Sequence, residues 1–391
     1  MRAAYVFPET LPTRNARGVQ VVRTCAALAE QLDELRLYLA GVSGANHELF
    51  ARYGISQPAN LKVIRLPRHI GPVVWSGRFN HGLRRHLLQW TKEVGDCPVM
   101  TRHLQVAQAL SATGLTTIFE SHDFFHDKPD VRAKVRRLEQ GVLASVDGVA
   151  FLTNGLRERV LGKVKINGRT TVIPSGTDVG HKGGLVGKFE SRPVRDFVYA
   201  GSTRYHWKGV AVLLAAVEEL VKQSAARDVP RLHLVGPIEG AVSQHESQVR
   251  RLVACGALEL HGYVEPSAMP ALLRTFEVAV LPNTEDSPNS ALFTSPLKLL
   301  EYMATPIAVV ASDLPSVREI AGTDEALLVS PGCPRALAEG IRQLLTDAPL
   351  RNRLSANAFR RVQEFSWERR AAKFIDFLQH VARQRVGSIA G

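Results

Sequence analysis

The chain has 391 residues, more than one compact core usually holds, so two domains are expected. Hydrophobic residues make up 45% and charged residues 22%, a composition that excludes disordered, collagen-like and low-complexity chains. The net charge is +12, and the first 190 residues carry +10 of it, which favours an anionic partner for the first half.

Short apolar runs alternate with helix-length amphipathic segments along the whole chain. In the first half, strands are predicted at 3–7, 35–42, 61–66, 98–102, 116–121, 148–153 and 171–174, and helices at 19–32, 103–112, 131–144 and 156–161. In the second half, strands are predicted at 196–201, 231–236, 258–264, 278–282, 307–312 and 326–330, and helices at 209–222, 243–254, 267–275, 297–304, 315–320 and 334–345. This alternation predicts βαβ units and mostly parallel sheets.

The segment between the two halves loses the apolar period and collects glycines. We therefore predict an N-terminal Rossmann-like domain over 1–180, a linker over 181–195 and a C-terminal Rossmann-like domain over 196–366. Two doubly wound parallel-sheet domains of this kind are expected to bind ligands in a central cleft. A dehydrogenase is disfavoured because no G-x-G-x-x-G turn follows the first strand.

Cysteine usage and hydropathy bear on the compartment. The four cysteines are far apart and form no CxxC motif, so neither a disulfide framework nor a zinc site is expected. The first apolar run stops at Pro8, too short for a signal peptide, and no stretch of about 18 apolar residues occurs. We expect a cytoplasmic protein, with any membrane contact peripheral, at the inner face of the plasma membrane.

The most informative segment, residues 295–304, reads S-P-L-K-L-L-E-Y-M-A. A polar loop turns into a helix at Pro296, and the N–H groups at a helix start form an anion site. Lys298 adds a positive charge, and Glu301 lies one turn further on a similar face. A helix start that binds phosphates, followed by a carboxylate that accepts hydrogen bonds from hydroxyl groups, suits a sugar nucleotide. An ordinary helix start with a solvated Glu301 fits the same residues.

This sequence resembles a family 4 glycosyltransferase of the GT-B fold, in the branch that carries S-P-x-K-x-x-E-Y-M-A. The resemblance covers most of the chain and is strongest over 199–313. It implies that Glu301, the second glutamate of an E-x7-E motif, binds the ribose, and that the backbone of residues 295–297 (Ser295, Pro296 and Leu297) holds the diphosphate. The first glutamate position holds Phe293. Glu285 or Asp286 would substitute for it, or would be solvated loop acids.

A second segment, residues 198–209, predicts a strand that ends at Gly201 and a helix that follows Lys208-Gly209. Lys208 is expected to contact a phosphate, and a solvated loop lysine is the alternative. The family often has an arginine where this chain has Ser202, and Arg204 is nearby but out of register.

Two further strand ends belong to the nucleotide pocket by resemblance. They lie at Gly236 and before Tyr263 and Val264, whose backbone groups would contact the base. Plain strand-to-loop turns explain both glycine-containing strand ends equally well.

In the first half, Glu-Ser-His-Asp places His122 just past a predicted strand end. It resembles an E-x-H-D segment whose histidine sits beside the transferred sugar, so His122 is predicted to hydrogen-bond a donor hydroxyl; a structural histidine is the alternative. The resemblance assigns Asp123, Arg102 and Arg17 to the acceptor side, and an ordinary salt bridge explains Arg102 as well. Gly18 permits a bend before the first helix, near the diphosphate.

Residues 65–92 mix arginines with tryptophans and leucines. Such a segment fits an anionic bilayer surface, and it fits equally a solvated helix with its aromatic side chains inside. Nucleic acid is not expected as a partner, because no nucleic-acid motif accompanies the charge.

The resemblance implies a retaining, metal-independent transferase that needs no cofactor and uses His122, Lys208 and Glu301. It would move a sugar from a UDP- or GDP-sugar to a glycan or lipid-linked acceptor, in cell-surface polysaccharide or glycolipid synthesis. The stretch 367–388 resembles a terminal helix that completes the N-terminal domain. A catalytically silent scaffold and a sugar-nucleotide epimerase of the same fold are the alternatives.

Overall fold

The computed structural model describes residues 1–13, 15–41, 46–70, 73–74, 76–180, 194–225, 228–237, 239–305 and 307–389. The chain divides into two compact units. The first comprises Met1–Gly176 and Trp367–Gly391, and the second comprises Thr177–Ser366. All but the last two residues of the predicted linker lie outside the described residues.

The first unit contains a seven-stranded sheet in the order β3-β2-β1-β6-β7-β8-β9, with every neighbouring pair parallel. Its strands are β1 (Arg2–Phe7), β2 (Glu34–Ala40), β3 (Leu61–Leu66), β6 (Val99–Thr101), β7 (Thr117–Ser121), β8 (Gly148–Phe151) and β9 (Arg169–Val172), and a small hairpin pairs β4 (His69–Ile70) with β5 (Val73–Val74). Its helices are α1 (Ala16–Ala29), α2 (Asn46–Arg52), α3 (Ser76–Val94), α4 (Leu104–Ser111), α5 (Ala133–Ser145), α6 (Asn154–Leu161) and α15 (Trp367–Ile389).

The second unit contains a six-stranded parallel sheet in the order β12-β11-β10-β13-β14-β15. Its strands are β10 (Asp196–Ala200), β11 (Arg231–Val235), β12 (Leu258–Gly262), β13 (Val278–Leu281), β14 (Ala308–Ser312) and β15 (Leu327–Val329). Its helices are α7 (Val210–Lys222), α8 (Ala241–Gln244), α9 (Glu246–Ala254), α10 (Met269–Leu273), α11 (Leu297–Met303), α12 (Pro315–Arg318), α13 (Pro334–Thr346) and α14 (Ala348–Val362).

The four inner strands of the second sheet, β11, β10, β13 and β14, are buried on both faces over most of their length, which explains why they read as apolar runs. Along β10, Phe197 and Tyr199 enter one core and Val198 and Ala200 enter the other. Helices α7 and α13 supply the first core, and α11 and α14 contribute to the second. The predicted α/β class with two doubly wound parallel sheets is confirmed.

Helix α15 packs in the first unit although it comes last in sequence. It lies along α1. A side chain on Gly148 at the start of β8 would come within 2.9 Å of the Phe377 ring, so glycine is what lets the helix approach this strand.

The segment 65–92 is a helix for most of its length. Phe79, Leu83, Leu87 and Trp90 of α3 are all buried in the core of the first unit. These aromatic side chains are therefore unavailable to a bilayer, and the interpretation of a solvated helix with its aromatics inside is correct for them. Trp75 lies outside the described residues. Among the helices that the structure describes, none is both long and apolar enough to cross a membrane.

Candidate functional site

The second sheet has a switch point between β10 and β13. These strands are neighbours, yet the chain forms β11 and β12 on the other side before it returns to β13. In open α/β sheets, ligands bind beyond the carboxyl ends of the strands at such a point. The segments that leave β10 and β13 here begin at Gly201 and Pro282.

Glycines bring the backbones close together at these strand ends. Gly201 has φ +146° and Gly236, after β11, has φ +150°. A Cβ atom on Gly236 would lie 2.1 Å from the carbonyl oxygen of Gly201, and one on Gly201 would lie 1.9 Å from Cε of Lys298. Only glycine fits at either position. This close packing places the Lys298 side chain of α11 directly against the end of β10.

Lys298 is held by Tyr199. Its Nζ atom donates a hydrogen bond of 2.7 Å to the Tyr199 hydroxyl and lies 4.2 Å from the centre of that ring. Burial, together with the positive charge of Lys208, lowers the pKa of Lys298 well below its usual value, and Glu301 opposes the shift. The two lysines thus lie close enough to repel each other.

Lys208 ends a short 3-10 turn, His206–Lys208. The next residue, Gly209, has φ +69°, and a Cβ atom there would lie 1.7 Å from the carbonyl oxygen of Pro282. The Lys208 Nζ atom lies 3.9 Å from the centre of the Trp207 ring, and burial lowers the pKa of Lys208 to about 8. Within the described ranges, no carboxylate forms an ion pair with Lys208. The pair Lys208 and Lys298 therefore suits an anion.

Two polar residues that the sequence analysis missed follow Pro282. Asn283 and Thr284 are buried, and in the described part of the chain neither the amide atoms of Asn283 nor the hydroxyl of Thr284 has a hydrogen-bond partner. The Thr284 backbone N–H donates to the Trp207 carbonyl at 3.0 Å, which ties this segment to the Lys208 turn. Buried polar atoms without partners mark a place where a polar ligand fits.

The other predicted donor residues lie around the same strand ends. Ser202 donates to Glu239 at 3.3 Å, and Arg204 is exposed. Tyr263 donates to Glu265 at 3.2 Å, and Val264 packs on the apolar core. Ser295 and Pro296 are buried, Leu297 is the first residue of α11, and Glu301 is partly buried.

Phe293 occupies the position of the first motif glutamate and is 1% exposed. It ends a π-helical turn, Asn289–Phe293, that follows the segment of Asn283 and Thr284. Both loop acids that could replace the glutamate, Glu285 and Asp286, are exposed, as expected of solvated loop residues.

In the first unit, the predicted histidine belongs to a buried charged network centred on Glu120. This carboxylate accepts a hydrogen bond of 2.6 Å from the Tyr5 hydroxyl and pairs with Arg370 of α15. The His122 Nε2 atom lies 2.9 Å from the Glu120 carboxylate. Arg370 also donates to the carbonyls of Ile173 and Pro174.

Burial lowers the pKa of His122 to about 4, and the nearby Arg102 adds to the shift while Glu120 opposes it. Despite its burial, the Glu120 carboxyl has a lowered pKa because His122 and Arg370 lie beside it. At neutral pH the site thus holds an ionised Glu120 and a neutral His122. From the sequence, Glu120 is recognisable only as part of the motif around His122. Its pairing with Arg370, 250 residues further along the chain, is visible only in the structure.

The acceptor-side candidates make separate contacts. Arg102 donates to Gln20 at 3.1 Å, Arg17 pairs with Glu9 at 3.0 Å, and Asp123 pairs with Lys128. Gly18 lies inside α1, where a Cβ atom would come within 2.4 Å of the Tyr53 hydroxyl. The structure thus brings together His122 and Arg102, whereas Asp123 is held by its own local ion pair.

Residues 194–347 match the family model Glycosyl transferases group 1. Among curated proteins, the chain is 24% identical over 335 residues to a phosphatidyl-myo-inositol mannosyltransferase of Mycobacterium tuberculosis, covering 80% of this chain and 82% of that protein. A D-inositol 3-phosphate glycosyltransferase of Jonesia denitrificans is 28% identical over 185 residues, covering 46% and 41%. The prediction of a glycosyltransferase is confirmed by this match and these relatives; the narrower motif branch stays a prediction.

Solved structures support the fold. Sucrose-phosphate synthase from Thermosynechococcus elongatus superposes with a TM-score of 0.75 at 17% identity, over 98% of this chain and 99% of that chain. Anabaena Alr3699/HepE in complex with UDP and glucose gives a TM-score of 0.72 at 14% identity, over 97% and 100%. The GT-B fold predicted from the sequence is confirmed.

Proposed function

We propose that the chain is a retaining, metal-independent glycosyltransferase that moves a sugar from a UDP- or GDP-sugar to a hydroxyl of a glycan or lipid-linked acceptor. The observation that carries the proposal is the lysine pair, Lys208 and Lys298, at the switch point of the second sheet. Two ammonium groups that repel each other, without a paired carboxylate at Lys208 in the described structure, favour a ligand with two negative charges. The diphosphate of a nucleotide sugar has this charge.

In the proposed reaction, the bond between the anomeric carbon and the diphosphate breaks. The acceptor oxygen forms its new bond on the same face of the sugar, and its proton passes to the leaving phosphate oxygen. Lys208 and Lys298 stabilise the charge that develops on this phosphate, which is the role a divalent cation has in other transferases. The reaction is proposed to need no metal because the two lysines supply this positive charge.

Two further side chains have proposed roles in donor binding. Glu301 accepts hydrogen bonds from the ribose hydroxyls, one helical turn from Lys298. His122 hydrogen-bonds a hydroxyl of the transferred sugar. Because its imidazole is neutral at physiological pH, it does not repel the positive charge that develops on the sugar ring in the transition state.

The acceptor is proposed to be a glycan or lipid-linked molecule in cell-surface polysaccharide or glycolipid synthesis at the cytoplasmic side of a membrane. Curated relatives include a phosphatidyl-myo-inositol mannosyltransferase, and one solved structure of the same fold, WaaG, is a glycosyltransferase involved in lipopolysaccharide biosynthesis. Exposed Arg84, Arg85 and Lys92 on α3 provide a basic surface for anionic lipid headgroups.

The first test is calorimetric titration with UDP, GDP, ADP and dTDP, with and without magnesium. We expect one nucleotide to bind with the same affinity in both conditions. Lys298→Ala and Glu301→Ala should each weaken that binding, and Lys222→Ala should not, because Lys222 is exposed and paired with Glu219. Binding that requires magnesium would contradict the metal-independent route.

A catalytically silent scaffold is the second candidate, and Phe293 in place of the motif glutamate favours it. Such a protein would bind none of the four nucleotides. A GT-B epimerase would instead bind the nucleotide and convert the nucleotide sugar without any acceptor, so product analysis by mass spectrometry and NMR distinguishes it from a transferase.

A further inference from the structure

A second polar cluster lies on the sheet of the second unit, away from the lysine pair. It contains His233 of β11 and Glu259 and His261 of β12. Within the part of the chain that the structure describes, this is the one group of three histidine, cysteine or acidic residues whose ligand atoms all lie within 4.8 Å of one another. Neither the proposed reaction nor the sequence motifs use these residues.

Strand pairing explains why the three side chains converge. His233 and Glu259 are register partners on neighbouring parallel strands, and His261 follows Glu259 by two residues. Side chains alternate between the faces of a sheet, and the intervening leucines of both strands pack into the opposite core. His233, Glu259 and His261 therefore share one face.

The distances suit a tetrahedral metal ion. The Nδ1 atom of His233 lies 2.9 Å from Nε2 of His261. One oxygen of Glu259, Oε2, lies 3.7 Å from the first nitrogen, and the other, Oε1, lies 3.5 Å from the second. Zinc–nitrogen bonds of about 2.0–2.1 Å put tetrahedral ligand atoms roughly 3.3 Å apart. Two histidines with one glutamate form a known three-ligand zinc set that leaves a fourth position for water.

The outer contacts of His233 also fit a metal ligand. Its Nε2 atom lies 3.1 Å from Oδ1 of Asp196, at the start of β10. A histidine that binds a metal through one nitrogen commonly gives its other N–H to a carboxylate, which fixes the tautomer that leaves Nδ1 for the metal. The ring of Phe276 packs against His233 at 4.8 Å and restricts its orientation.

One cation adjoins the cluster. Arg231 lies 3.8 Å from both Asp196 and Glu259, and its side chain is half exposed. At these distances it neutralises part of the charge of the two carboxylates. It can also move into solvent when a metal ion binds.

We infer that His233, Glu259 and His261 form a binding site for one Zn²⁺ ion, with Asp196 orienting His233. The site clamps β11 to β12. His233 pairs with Val198, two residues before the carboxyl end of β10, so the site lies roughly 7 Å along the strands from the lysine pair's end of the sheet at 3.3 Å per residue. Because Gly262, Tyr263 and Val264 follow His261 in the sequence, a bound ion also fixes the start of that loop.

The test is zinc titration of the full-length, chelator-treated protein by calorimetry, with Co²⁺ absorption as a second readout. The protein should carry Cys255→Ser, so that this exposed free thiol contributes no zinc binding of its own. We expect one Zn²⁺ per chain, a raised Tm on binding, and the visible absorption of tetrahedral Co²⁺. His261→Ala and Glu259→Gln should weaken binding at least about 100-fold and 10-fold, and Asp196→Asn about 10-fold.

The matched control is His380→Ala. His380 and Asp376 form an exposed histidine–carboxylate pair on α15, so its loss should leave zinc binding unchanged. The inference is overturned by a wild-type affinity in His261→Ala, by loss of binding in His380→Ala, or by the absence of stoichiometric zinc binding to the parent protein. Circular dichroism of each variant shows whether it is folded, and Glu259→Gln, at a half-exposed position, keeps the test decisive if a histidine variant fails to fold.

Discussion

Lys208 should make nucleotide binding depend on pH. Its pKa is lowered to about 8, so below about pH 7 the ammonium is already charged and affinity should not change with this group. Above pH 8 the free protein loses the charge, binding must take up a proton, and affinity should fall by up to tenfold per pH unit. In Lys208→Arg the guanidinium stays charged, which should remove the part of the fall that Lys208 causes; the lowered pKa of Lys298 contributes equally in both proteins. Calorimetry of both proteins between pH 6.5 and 9.5 makes the comparison; parallel curves would exclude this lysine from the site.

His122 should stay neutral in acid. Its pKa is lowered to about 4 in the folded protein and is about 6.5 in an unfolded chain, so only the unfolded chain takes up a proton between these values. The free energy of unfolding should therefore decrease as the pH falls from 6.5 to 4. NMR of ring-labelled histidine checks the protonation directly: a His122 signal that titrates near pH 6.5 would contradict the lowered pKa.

The candidate site could be predicted from sequence where its residues fall in local motifs. Lys208 and Lys298 each follow from a short segment at a strand end or helix start. Glu120, Arg370, Asn283 and Thr284 could not, because their importance comes from burial and from partners distant along the chain. Glu120 meets Tyr5 and Arg370, which are 115 and 250 residues away.

At the scale of elements, the turn between Lys208 and α7 depends on glycine. In Gly209→Ala, the Cβ atom would lie 1.7 Å from the Pro282 carbonyl oxygen, at a φ of +69°. Gly256→Ala has nearly the same φ, +74°, but no atom within 4 Å of the new Cβ. In both variants the left-handed backbone should lower the free energy of unfolding by about 1–2 kcal/mol. Gly209→Ala should lower it by a further ~1–3 kcal/mol because of the clash, and should also lose nucleotide affinity. Urea unfolding compares the two; equal losses would refute the close approach.

Strands were easier to predict than helices for a physical reason. Every predicted strand lies in one of the two parallel sheets, and the inner strands, which are buried on both faces, give continuous apolar runs. Helix α14 was not predicted because its sequence is largely polar. One of its buried positions is occupied by Arg351, which interrupts the apolar pattern that marks a helix face. That guanidinium donates to the carbonyls of Leu344 and Leu345 at the end of α13, and its Nε lies 3.2 Å from Glu277.

At the scale of the whole molecule, α15 returns the end of the chain to the first unit through Arg370. This guanidinium is 3% exposed and meets Glu120, Thr24 and the carbonyls of Ile173 and Pro174. Arg370→Ala leaves the buried Glu120 without its main ion-pair partner, so the free energy of unfolding should fall by about 3–5 kcal/mol. The neighbouring Arg369 is exposed, and Arg369→Ala should change the free energy of unfolding by less than about 0.5 kcal/mol.

The same substitution tests how the two units depend on each other in folding. All the Arg370 contacts above lie within the first unit, so Arg370→Ala should lower the unfolding midpoint of that unit. Nucleotide binding, assigned to the second unit, should persist at temperatures where the first unit has melted. Differential scanning calorimetry with and without the nucleotide checks this: a nucleotide that raised only the later transition would place its site in the second unit. A single transition, raised as a whole by the nucleotide, would show instead that the two units unfold together.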